Sequence, residues 1–169
     1  MRAKTGCAVA SHGKHAAVPL ARYLEIHTTA MERHLRGGFV VENGITVDAL
    51  GSGFMVMQGE IRCVGQLYID VDKRLWLVRD SAGVAWVETV SYSYNCAVRQ
   101  RGNVYRYDSP HISHCPIHHV HEYHFFDGDS EGELVAVDAS DWATLSEVID
   151  RFKTWYYDNF PALHEQNLA

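Results

Sequence analysis

The feature that most constrains the fold is a succession of short β-rich runs, each closed by turn residues, between residues 39 and 137. Phe39-Val40-Val41-Glu42 and Ile45-Thr46-Val47-Asp48 flank Asn43-Gly44. That pair suits a type I′ hairpin, because both turn positions take positive φ. Gly51-Ser52-Gly53 makes a loop before Phe54-Met55-Val56-Met57. Residues 60–71 and 74–79 predict a second hairpin turning at Val71-Asp72-Lys73. A third starts at Ala85, runs through Tyr94 to Arg99, turns around Arg101-Gly102-Asn103 and returns through Val104 to Tyr107. Residues 118–126 alternate, and residues 134–137 follow a turn at Asp127-Gly128-Asp129. Hairpins at this spacing predict a meandering antiparallel sheet.

Helical signals stand at the two ends. Thr144-Leu145-Ser146-Glu147 fits a capping box, in which Thr144 accepts a backbone proton and Glu147 reaches back. Leu145, Val148, Ile149, Phe152, Trp155 and Tyr156 follow at spacings of three and four, one apolar stripe that Pro161 is expected to end. Burying that stripe contributes roughly 1.5–3 kcal/mol per side chain before entropy costs. Residues 17–36 carry a weaker helical pattern in Val18, Leu20, Leu24, Met31 and Leu35, stopped by Gly37-Gly38. Residues 1–16 show no apolar pattern. The expected fold class is α+β, a meandering antiparallel β-sheet packed by a C-terminal amphipathic helix. The expected organisation is a poorly defined, partly helical segment over 1–38, one domain over 39–160 and a tail over 161–169.

Chemistry concentrates in one segment. Six of the eleven histidines fall between positions 111 and 124. Imidazole both transfers protons near neutral pH and ligates transition metals. On a strand, side chains alternate between faces, so His119, His121 and Tyr123 share one face, and His118, Val120, Glu122 and His124 the other. At most His119 and His121 act together from the strand, joined by His111 or His114 from the preceding loop. One hairpin earlier, Tyr92, Tyr94, Cys96 and Val98 share a face opposite Ser91, Ser93, Asn95 and Ala97. Arg106 and Asp108 share a face with Val104, opposed by Tyr105 and Tyr107.

Three uses of this segment are open. One is a solvated or packed histidine-rich stretch without chemistry, a non-catalytic module that binds a partner. A second is a zinc site drawn from His111, His114, Cys115, His119 and His121, although no finger spacing and no His-Glu-x-x-His helix is present. The third needs no metal: two imidazoles act as acid and base on an RNA phosphodiester, Arg106 clamps the phosphate, and Tyr94 or Tyr107 positions a base or a phosphate oxygen. Composition bears on this choice only at one point. The formal net charge of −6 removes the global basic field that a general nucleic-acid coat requires, but leaves room for a local phosphate grip.

The segments Val90-Ser91-Tyr92-Ser93-Tyr94-Asn95, Arg106-Tyr107-Asp108-Ser109-Pro110-His111 and His118-His119-Val120-His121 together resemble the TumE-like family of toxins of toxin–antitoxin systems. The resemblance spans about residues 60–158. Ser109 stands where the family commonly has Asn, and Val120 where it has a basic residue. The resemblance implies a two-gene module with a helix-turn-helix DNA-binding antitoxin as partner, and a ribonuclease activity as the natural expectation. It carries Tyr94, Arg106, Asp108, His111, His119 and His121 forward as site residues.

The remaining features are expected to be structural. Cys7, Cys63, Cys96 and Cys115 match no metal or redox spacing and read as reduced thiols, and no run reaches the roughly 20 apolar residues a bilayer crossing needs. A cytoplasmic location is the expectation. Trp76, Trp86, Trp142 and Trp155 are expected in the core or at its edges, and Asp127, Asp129, Glu131 and Glu133 in a solvated turn. Gly51-Ser52-Gly53 lacks the lysine and helix of a phosphate loop.

Overall fold

The computed structural model describes residues 16–51, 53–110, 115, 117–128 and 131–165. In chain order these form β1 (Val18–Pro19), α1 (Leu20–Arg36), β2 (Val40–Asn43), β3 (Thr46–Gly51), β4 (Phe54–Cys63), β5 (Leu67–Arg79), β6 (Ala85–Val98) and β7 (Gly102–Asp108). β8 (His118–Glu122), a 3-10 turn (Phe125–Asp127), β9 (Glu133–Val137) and α2 (Leu145–Glu165) complete them. The chain is α+β, as its pattern predicts. Strands β4 to β9 lie side by side in sequence order, every neighbour antiparallel. β5 lines one edge of β6 along its length, and β7 and β1 divide the other.

Alternation sorts the side chains of this sheet into two chemically different faces. One carries Ile61, Ile69, Val71, Tyr94 and Cys96, all buried, against Val148, Ile149, Phe152 and Tyr156 of α2 and Met31 of α1. Phe39 joins this core with its ring centroid 6.1 Å from Phe152 and 6.0 Å from Tyr156. The other face shows Asp70, Asp72, Arg74, Ser93, Asn95 and Arg106, polar residues that no helix needs to cover. Thr144 caps α2 as its sequence predicts: Glu147 N–H donates to Thr144 Oγ1 at 3.3 Å, and Thr144 N–H donates to Glu147 Oε2 at 2.7 Å.

Several expectations need correction. Asn43-Gly44 does not close a hairpin. β2 and β3 both pair with β4, at residues 61–63 and 54–58, so they form one bent edge strand. Gly44 is required at the bend because its N–H donates to the Glu60 carbonyl at 2.9 Å, and a Cβ there would stand 2.8 Å from that oxygen. The next turn falls at Val64-Gly65-Gln66 and not at Val71-Asp72-Lys73, with φ of 62° and 67° at Gly65 and Gln66. Asp72 and Lys73 lie mid-strand and simply alternate, one exposed and one partly buried. α2 continues through Pro161 to Glu165. That proline is exposed, so water can satisfy the carbonyl left without its N–H donor. α1 buries Met31 and His34, whereas Leu35 is exposed. Val104 leaves its expected face because a register shift between Asn103 and Tyr105 turns it into the core.

Candidate functional site

The register between β7 and β8 assembles the site. Arg106 pairs with His121 and Asp108 with His119, so the four stand as a two-by-two array. Directly opposed residues of antiparallel strands project to the same face. Here that face is the polar one. β6 extends the array, with Asn95 opposite Arg106 and Ser93 opposite Asp108.

Asp108 is the centre of this array. Its Oδ2 lies 2.9 Å from Arg106 Nε and 3.8 Å from His119 Nε2, the latter an ion pair whenever that ring is protonated. Asp108 is 1% exposed, His119 is 3% exposed, and the Arg106 side chain is 46% exposed. The guanidinium therefore reaches from a buried anion towards solvent. Its contact with Asp108 runs through Nε. His119 Nδ1 lies 2.9 Å from the Ile117 carbonyl, which can only accept, so Nδ1 carries a proton and donates it. His121 is partly buried, its ring centroid 5.1 Å from that of His119 and 77° from its plane. His121 Nδ1 is buried and makes no hydrogen bond among the described residues.

One ligand atom each from Asp108, His119 and His121 lies within 4.8 Å of the others, an arrangement that could hold a metal ion. Two imidazoles and one carboxylate suit zinc or iron(II). Cys115, half-buried, is not a member of this group. His111 and His114 lie outside the described residues.

The sheet separates the two tyrosines from Arg106, so they stand apart from the proposed substrate face. Tyr94 is fully buried beneath the helices and stacks on Tyr92 at 5.2 Å, its phenol pushed well up by burial. Tyr107 is buried on the same side and accepts a hydrogen bond from Arg151 Nη1 of α2 at 3.1 Å. Both can shape the site only through the sheet. Burial there accounts for the positions they hold.

The histidines divide as strand parity requires. His118 turns to the helix face, where its ring stacks nearly parallel to that of Trp142 with centroids 5.5 Å apart and its Nδ1 is 2.9 Å from Tyr92 Oη. Glu122 also faces α2 and pairs with Arg151 at 2.5 Å. Asn95 is an addition that parity alone had made visible. Its Nδ2 donates to Asn103 Oδ1 at 3.1 Å, while its Oδ1 is buried without a hydrogen bond among the described residues.

A second polar cluster joins the helices. His34 Nε2 lies 2.8 Å from Ser146 Oγ, Arg33 Nη2 donates to the same oxygen at 2.7 Å, and Arg33 pairs with Asp150 at 3.3 Å. No sequence pattern flags this cluster, because its members are more than a hundred positions apart. It anchors α1 to α2. Cys63, Cys96 and Cys115 are free thiols. Among the described residues no helix is long and apolar enough to cross a membrane. No family model, curated protein or solved structure matches this chain.

Proposed function

We propose that this protein cleaves RNA by histidine proton transfer without a metal ion, as the toxin of a two-gene toxin–antitoxin pair. The observation that carries the chemistry is the array of Arg106, Asp108, His119 and His121 on one face of adjacent strands. Its resemblance to TumE-like toxins supports the biological setting, with a helix-turn-helix DNA-binding antitoxin as the partner.

The accessible pair does the chemistry. His121 accepts the proton of a ribose 2′-hydroxyl as that oxygen attacks the adjacent phosphorus, and returns a proton to the 5′ oxygen as the P–O5′ bond breaks. Arg106 Nη groups meet the non-bridging oxygens as their charge grows. Asp108 holds the guanidinium, and His119, being buried, serves here as a positioning residue; the sequence leaves open which two of His111, His119 and His121 act as acid and base. The products are a 2′,3′-cyclic phosphate and a 5′-hydroxyl.

A second reading has its own observation. Among the described residues His121 Nδ1 is buried without a hydrogen bond, and His119 Nδ1 is oriented by a carbonyl in the way that fixes imidazole ligands. On that reading Asp108, His119 and His121 bind zinc, against the competing charge of Arg106. One experiment separates the two. Protein purified without an affinity tag is assayed for metal content and for RNA cleavage with and without chelator. Cleavage that survives chelation and leaves cyclic phosphate ends is the expected result. Stoichiometric zinc with no cleavage, or cleavage abolished by chelation, overturns the metal-free proposal.

A further inference from the structure

A cavity of about 210 Å³ opens on the helix face, between α1, the start of α2 and strands β4 to β6. Its walls are mainly apolar, from Val18, Ile26, Ala30, Met57, Val87 and Leu145. Lys73 and His27 also line it, and among the described residues no carboxylate does. Among the described residues the Lys73 ammonium has neither an ion pair nor a hydrogen bond. Its neighbours are π faces: Nζ is 5.1 Å from the Tyr23 ring centroid and 5.9 Å from that of Trp142. Burial pulls this ammonium down to about 8. An apolar chamber holding one cation without a counter-ion is a poor structural filling, because a desolvated charge is normally paired.

We propose that this cavity binds a small monocarboxylate, its apolar body against Ile26, Ala30, Met57 and Val87 and its carboxylate on the Lys73 ammonium. A single anionic charge matches the single lysine, whereas a phosphate dianion would carry surplus charge into apolar surroundings. A space of about 210 Å³ admits an acid on the scale of hexanoate or benzoate. Thr89, Thr144 and Ser146 add hydroxyls at the wall. The site is on the face of the sheet opposite Arg106 and His121, and it stands whether or not the chain cleaves RNA.

The test titrates hexanoate and benzoate into the full chain at pH 7 and follows backbone amide shifts, with hexanol and hexylamine as size-matched controls. The acids are expected to saturate, with shifts centred on β5 and α1, and hexanoate to bind at least about tenfold tighter than hexanol, the worth of one charge-assisted contact. Hexylamine is expected not to bind. Lys73→Met keeps the apolar stem and removes the cation, so the acid and the alcohol should then bind within about twofold of each other. Ala30→Phe fills the chamber and should remove both. Should Lys73→Met fail to fold, the acid–alcohol comparison in the wild type and the Ala30→Phe variant still decide. Absence of saturable binding by either acid, equal affinity for hexanol or hexylamine, or hexanoate affinity unchanged in either folded variant overturns the proposal.

Discussion

Asp108 ties a buried anion to a half-exposed cation, and its neighbours depend on it for their orientation. Asp108→Asn preserves volume but removes the charge that meets Arg106 Nε and His119 Nε2. The expected cost is about 1–3 kcal/mol in a urea titration, because a charge-assisted buried contact is lost while the Arg106 head group remains solvated. An unchanged midpoint would show that the carboxylate holds nothing. Arg106 belongs to the same scale. Arg106→Lys keeps a positive charge but has no fork and no Nε contact, so on the proposed mechanism cleavage should fall by roughly 10²-fold or more. His121→Ala should remove cleavage and growth inhibition while the melting temperature stays near that of the wild type. Retained toxicity in a folded His121→Ala variant would take this imidazole out of the mechanism.

Among the elements, α2 contributes most of the apolar cover. Phe152 is fully buried and packs against Phe39, whereas Tyr157, five residues on, is 57% exposed. Phe152→Ala should cost about 3–5 kcal/mol, and Tyr157→Ala about 0.5 kcal/mol or less, measured by the same denaturation series. Comparable losses at both positions would mean that the buried face of α2 is misassigned. The capping box was legible because its four residues are contiguous and its bonds are local. The edge strand was not. Asn43-Gly44 carries strong local turn chemistry, yet the long β4 offers both β2 and β3 a partner, and pairing along it satisfies more backbone groups than a short hairpin closed on itself. Likewise Val71-Asp72-Lys73 looks like a polar interruption only until β4 and β6 are seen on either side of it.

For the whole molecule, pH reports how the faces are packed. His27, His34 and His118 are each held below the ordinary imidazole range, with burial the first cause in every case. The Lys73 ammonium adds to it at His27 and His119 at His118, while Asp150 opposes it at His34. The unfolded chain therefore binds more protons than the folded one just below about pH 6.5. Their stabilising contribution is complete above that value and is lost as the pH falls through the lower folded values. The urea midpoint at pH 5.5 should lie below that at pH 7.5 at constant ionic strength. A flat or rising midpoint would contradict the burial of these rings.

The α+β class, the antiparallel meander, the capped final helix and the alternation of faces along each regular stretch of strand are written in the local sequence; the bulge that turns Val104 inward is not. The former are short-range consequences of backbone period and turn chemistry, so they can be read a few residues at a time. The sequence also brought His119 into company with His121, and Arg106 with Asp108, since each pair is two residues apart on one strand. Only the tertiary structure decided that the two pairs face each other, because register depends on how β7 and β8 meet across a loop. Nor could periodicity say which face the helices cover. That choice buried Tyr94 and Tyr107, left Arg106 half in solvent, and set Lys73 in the wall of a mainly apolar cavity built from elements that only long-range packing brings together.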